Sequence, residues 1–120
     1  MTQGDALVVD DHPTNRLLAC TLIRKAGWNA LEAESGEEAL RLAATQSFDL
    51  ILLDISMPGM SGEETCARLR VAHGERALRI VAYTAHAYPE DRDRFLAAGF
   101  DEILVKPISR LRVEELLRTG

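Results

Sequence analysis

No part of this chain is apolar for long. The longest wholly aliphatic run is Leu50-Ile51-Leu52-Leu53, far short of the roughly 20 residues a membrane-spanning helix needs. The first residues, Met1-Thr2-Gln3-Gly4, carry neither the basic segment nor the apolar core of a secretion signal. Cysteine is scarce. Cys20 and Cys66 both fall in helix-like stretches, and without an oxidising destination they read as reduced, small core residues. His12, His73 and His86 have no partner at zinc-site spacing and read as solvated or hydrogen-bonded side chains. The three Phe, two Tyr and one Trp are scattered rather than interleaved with Arg and Lys, so no base-stacking platform is indicated. Positive charge is in deficit too. With 14 Lys+Arg against 19 Asp+Glu, the net charge of −5 argues against a nucleic-acid partner. What remains is an ordinary globular composition, 47% hydrophobic and 28% charged, over 120 residues. That suits one cytoplasmic domain with a full core and no direct membrane contact.

No Pro- or Gly/Ser-rich linker interrupts the chain, and its apolar period switches repeatedly. Buried-strand runs occur at Ala6–Val9, Asp49–Leu53, Ile80–Tyr83 and Ile103–Val105, and Trp28–Ala33 alternates like a half-exposed edge strand. Helix-length stretches lie between them. The first follows Pro13 and stops at Gly27. The second and third open with the same tetrapeptide, Ser35-Gly36-Glu37-Glu38 and Ser61-Gly62-Glu63-Glu64, each fitting a capping box. The fourth runs from Pro89 to Gly99 and the fifth from Ser109 to about Arg118. Five strand–helix units predict an α/β fold: a doubly wound, flavodoxin-like, five-stranded parallel sheet of order 2-1-3-4-5 with helices on both faces. In such sheets ligands bind beyond the carboxyl ends of the strands, at the switch point between strands 1 and 3.

That rule selects the residues to inspect. The first strand runs into Asp10-Asp11, the third into Asp54, the fourth into Thr84 and the fifth into Lys106-Pro107. Three gathered carboxylates repel each other, and a hard cation resolves the conflict. Mg²⁺ suits one or two carboxylates, a carbonyl and several waters. Lys106 adds a compact positive charge and Thr84 a hydroxyl donor, so a phosphoryl group could be held from three sides. A carboxylate can itself accept that group as an aspartyl phosphate. Each residue also has a purely structural explanation. Asp10 and Asp11 can cap the first helix, Asp54 can open the turn at Met57-Pro58-Gly59, Thr84 can back-bond at a strand end and Lys106 can be solvated. Taken together they ask for more, because a merely stable fold does not need all of them at one end of one sheet.

The chain resembles the receiver domain of two-component response regulators over essentially its whole length. The matching pieces are Val8-Val9-Asp10-Asp11, the run from Leu52 to Gly62, Tyr83-Thr84-Ala85 and Val105-Lys106-Pro107. Asp54 follows Asp11 by 43 residues, Thr84 follows Asp54 by 30, and Lys106 follows Thr84 by 22. The resemblance implies Asp54 as acceptor of a phosphoryl group from a phosphohistidine. It implies Asp11 as a direct Mg²⁺ ligand, Asp10 acting mainly through water, and the Ser56 backbone carbonyl completing the metal site. It also implies Thr84 and Lys106 on the phosphoryl oxygens and a cis Lys106-Pro107 bond. A finer likeness, carried by Asp10–Arg16, Thr84–Ala87 and Ala98–Ile108, is to receivers of hybrid sensor histidine kinases. Such receivers exchange phosphoryl groups with a histidine kinase or a histidine phosphotransfer domain. A single receiver domain over residues 1–120, core about 5–118, with no output domain, is the expectation, and it catalyses only its own phosphorylation and dephosphorylation.

One position departs from the family pattern. Three residues before the Lys the family commonly has Tyr or Phe, and here stands Ile103. Ile is too small for the family's ring swing, which suggests a domain that relays phosphoryl groups more than it switches a surface; alternatively Ile103 simply packs. Rival functions fit less well. A flavin-binding domain would want a Ser/Thr-rich phosphate loop after the first strand, where the acid pair stands. A haloacid-dehalogenase-like phosphatase wants a second Asp two residues past the nucleophile, where the chain has Ser56. The remaining alternative is a pseudo-receiver that binds partners without phosphorylation, against which the full acid, Thr and Lys set speaks.

Overall fold

Short β-branched and Leu-rich runs that are apolar on both sides can only be satisfied between two helical layers, and that is where they lie. The computed structural model describes residues 4–73, 78–85 and 88–118. His86 and the side chain of His73 lie outside the described residues. The elements alternate: β1 (Asp5–Val9), α1 (Pro13–Lys25), β2 (Asn29–Ala33), α2 (Gly36–Thr45), β3 (Leu50–Asp54), α3 (Gly62–His73), β4 (Arg79–Thr84), α4 (Pro89–Ala98), β5 (Glu102–Val105) and α5 (Arg110–Arg118). The five strands form one parallel sheet in the order β2-β1-β3-β4-β5. Fold class and strand order are as the sequence predicted.

The period of two along each strand sorts the core into two layers. Ala6 and Val8 of β1, Leu50 and Leu52 of β3, and Val81 and Tyr83 of β4 pack with Ala19, Cys20 and Ile23 of α1 and Val113 and Leu116 of α5. The intervening Leu7, Val9, Ile51, Leu53, Ile80 and Ala82 pack with Ala39, Cys66, Leu69 and Phe95 from α2, α3 and α4. Cys20 and Cys66 thus lie in separate layers. Both are buried and free, and burial pushes each thiol up to about 11, so they serve as packing groups as expected. β3, central in the sheet, is buried at every position, including the carboxylate that ends it.

Local signals account for the boundaries, with small differences. Trp28 and Asp49, expected in strands, precede them by one residue; Asp49 instead accepts the Asp5 amide at 2.9 Å. The two Ser-Gly-Glu-Glu boxes are only half closed. Ser35 Oγ accepts from Glu38 N and Ser61 Oγ from Glu64 N, both at 3.1 Å. Glu38 reaches back one residue further than a capping box requires, to Glu34 N at 2.9 Å, while Glu64 pairs with Arg68 at 2.9 Å. Both carboxylates find other partners nearby, so the reciprocal bond does not form. Helix α4 ends at Gly99, whose φ of 110° is a left-handed cap that favours glycine.

Candidate functional site

Hydrogen bonding continues one step past the ends of three strands and fixes what stands there. Asp10 N donates to Ala33 O at 3.1 Å, Ile55 N to Tyr83 O at 3.3 Å and Lys106 N to Thr84 O at 2.7 Å. The side chains at these positions are therefore aimed by the sheet itself. Asp10 and Asp54 are buried, although both are acidic. Lys106 Nζ lies 3.1 Å from Asp10 Oδ2 and 3.4 Å from Asp54 Oδ1, joining residues 96 apart in sequence. The same ammonium stands 4.9 Å from the centroid of the buried Tyr83 ring. The Lys106–Pro107 bond is cis, as the resemblance implied.

Each acid has a distinct setting. Asp10 Oδ1 accepts the His12 amide at 2.9 Å, and Asp54 Oδ1 accepts the Ser56 amide at 3.2 Å. Asp11 is different. Its Oδ1 is buried and accepts no hydrogen bond among the described residues. Neither Asp10 nor Asp11 caps α1, whose N-cap residue is His12 with no side-chain cap bond, so the helix-cap explanation of the acid pair does not hold. Burial, and next the neighbouring Asp10 charge, push the Asp54 carboxyl up to about 6, against the pull of Lys106 and the Ser56 amide. Thr84, half-buried, ends β4 one residue past Tyr83, the register partner of Asp54.

Three contributors went unread in the sequence. His12, expected to be merely solvated or hydrogen-bonded, is largely exposed, yet its Nδ1 lies 3.1 Å from Asp11 Oδ1 and 3.4 Å from Asp10 Oδ1. Its signal was its position directly after the acid pair. Arg16, one helical turn on, donates Nη1 to the Asp10 carbonyl at 2.7 Å and Nε to Glu32 at 3.2 Å, clamping the β1 end to β2. Gly62 has no side chain for a reason. A Cβ there would collide with the Asp54 carbonyl oxygen and with Ile55 Cα, so α3 can start against the end of β3 only with glycine. Only its place in the Ser-Gly-Glu-Glu phrase hinted at this.

Asp10, Asp11, His12 and Asp54 each offer one ligand atom, and these atoms lie within 4.8 Å of one another. A hard divalent cation fits this donor set, because the orphaned Asp11 oxygen and the uneasy Asp54 charge both gain from it. The Response regulator receiver domain model matches residues 6–118. The chain belongs to that family. Among curated receiver-containing relatives, the sensor histidine kinase GacS of Pseudomonas protegens is 39% identical over 114 residues, covering 92% of this chain and 12% of GacS. The virulence sensor protein BvgS of Bordetella pertussis is 38% identical over 107 residues, or 85% of this chain and 9% of BvgS. This receiver thus spans about a tenth of the relatives it matches. The chemotaxis response regulator CheY4 of Vibrio cholerae superposes with a TM-score of 0.91 at 30% identity, covering 98% of both chains. No helix among the described residues is long and apolar enough to cross a membrane.

Proposed function

We propose that this receiver accepts a phosphoryl group on Asp54 from the phosphohistidine of a histidine kinase, in a Mg²⁺-dependent reaction. The observation that carries the reading is one buried carboxylate, Asp54, beside the acid pair and within 3.4 Å of Lys106 Nζ. An Asp54 carboxylate oxygen attacks phosphorus, an O–P bond forms, the P–N bond to the donor imidazole breaks, and the imidazole leaves to take up a proton. Asp11, Asp54 and the Ser56 carbonyl would hold Mg²⁺ directly and Asp10 mainly through water, and the ion would neutralise charge on the phosphoryl oxygens. Lys106 Nζ would support the phosphoryl oxygens, and the Thr84 hydroxyl would donate to one of them. The sheet supplies positioning, because each of these groups sits at or just beyond a strand end.

The relatives named above are sensor histidine kinases, and this domain fits the receiver of such a hybrid kinase on the cytoplasmic side, exchanging its phosphoryl group with a histidine kinase or a histidine phosphotransfer domain. The deciding experiment is incubation with acetyl phosphate and Mg²⁺, followed by intact mass measurement. One phosphoryl adduct on the wild type and none on Asp54→Ala is expected. No adduct on the wild type overturns the reading in favour of a pseudo-receiver, and an equal adduct on the variant overturns Asp54 as the acceptor.

A further inference from the structure

The imidazole of His12 and the carboxylate of Asp11 make an unusual pair. Nδ1 and Oδ1 are 3.1 Å apart, yet Oδ1 is buried and accepts no hydrogen bond among the described residues. With the imidazole neutral, the Nδ1 lone pair faces the carboxylate at this distance, an arrangement that a cation between them would satisfy. Around an octahedral dication with bonds of about 2.1 Å, neighbouring ligand atoms stand about 3 Å apart. The Nδ1 distances to Asp11 and Asp10, 3.1 and 3.4 Å, match that edge. Asp10 is already engaged at both oxygens. Its Oδ1 takes the His12 amide and its Oδ2 takes Lys106. The donor that the acid pair lacks is therefore offered by the next residue in the chain. His12 is also free to adjust, since its side chain is 67% exposed and caps nothing.

We infer that His12 Nδ1 is a ligand of the cation site, giving an otherwise all-oxygen centre one nitrogen donor and a preference for Mn²⁺ and other first-row dications over Mg²⁺. Nitrogen donors strengthen binding along the first-row series and add little for Mg²⁺, a hard ion that favours oxygen. The inference rests on the acidic cluster being a cation site, as proposed above, and adds a ligand and a selectivity to it. The imidazole binds as the neutral tautomer, with hydrogen on Nε2 and the Nδ1 lone pair on the metal.

The test uses Mn²⁺ as the probe, in nitrogen-free buffer, with pulsed electron paramagnetic resonance reading ¹⁴N coupling. Wild type is expected to show coupling that disappears in His12→Ala and His12→Gln. By titration, the Mn²⁺ affinity of His12→Ala should fall about tenfold or more while its Mg²⁺ affinity changes less than threefold. Bound Mn²⁺ without nitrogen coupling in wild type, or coupling that survives in His12→Ala, overturns the ligand assignment and leaves the acidic cation site standing. Wild type that binds neither Mn²⁺ nor Mg²⁺ saturably overturns both. Circular dichroism of the variants establishes that the fold is kept.

Discussion

Lys106 Nζ lies 3.4 Å from Asp54 Oδ1, and this contact across the mouth of the sheet is the only one in which an ammonium meets that carboxylate among the described residues. Lys106 also serves Asp10, at 3.1 Å. One cation thus offsets two buried anions, and removing it leaves both exposed to each other in a poorly solvated pocket. In metal-free protein, Lys106→Ala should lose about 2–4 kcal/mol at pH 8. The loss should shrink at pH 5, where Asp54 is mostly protonated. Urea denaturation at the two pH values in EDTA checks this; a loss equal at both would mean that the Asp54 contact contributes nothing.

Asp54 itself opposes folding when ionised and metal-free. Its folded pKa, about 6, lies above the ordinary 3.8. A raised carboxyl pKa means stability that is fully present below the unfolded value and is lost as pH rises through the folded one. Asp54→Asn cannot titrate. It should match the wild type near pH 4 and become the more stable by about 1–3 kcal/mol above pH 7, with EDTA present. Thermal unfolding from pH 4 to 8 measures the difference. A gap that narrows as pH rises would contradict the origin given for the shift.

Gly62 ties the start of α3 to Asp54. Its amide donates to Ile55 O at 3.3 Å, and a Cβ would press into the Asp54 carbonyl. Backbone cannot rotate away as a side chain can, so Gly62→Ala should cost about 1–3 kcal/mol and displace the turn after β3. Acetyl phosphate labelling should slow in parallel with the fall in melting temperature. A variant with wild-type stability and labelling would show that α3 can shift as a body.

How much of this was legible in sequence depends on range. Strand identity followed from runs such as Leu50–Leu53, because a strand covered on both faces tolerates nothing polar. The positions of Asp10, Asp54, Thr84 and Lys106 followed from the topology rule for parallel sheets, which turns strand ends into neighbours. What escaped were contacts whose partners share no pattern. Arg16 gripping the Asp10 carbonyl, and Glu38 reaching Glu34 in place of Ser35, depend on rotamers among several equivalent acceptors. The closeness of Gly62 to Asp54 is steric, and a glycine leaves no chemical trace of the space it lacks. His12 has no second histidine or cysteine at metal-site spacing, and a single imidazole beside two acids makes no sequence pattern of its own.

Ile103 bears on how the proposed phosphorylation would spread. It pairs in register with Ala82 and packs, half-buried, with the layer that holds Phe95 and Phe100. A branched aliphatic side chain lodged there has no ring to swing between an inward and an outward place, and its β-branch leaves few rotamers. Phosphorylation at Asp54 should then be felt mainly in the segments after β1, β3, β4 and β5, with the α4 and α5 surfaces little altered. Amide chemical-shift changes on adding acetyl phosphate and Mg²⁺ read this directly. Small shifts over α4 and α5 support a domain that passes the group on. Large shifts across both helices would show that the surface switches without an aromatic at position 103, and would shift attention to Tyr83, whose buried ring already touches Lys106.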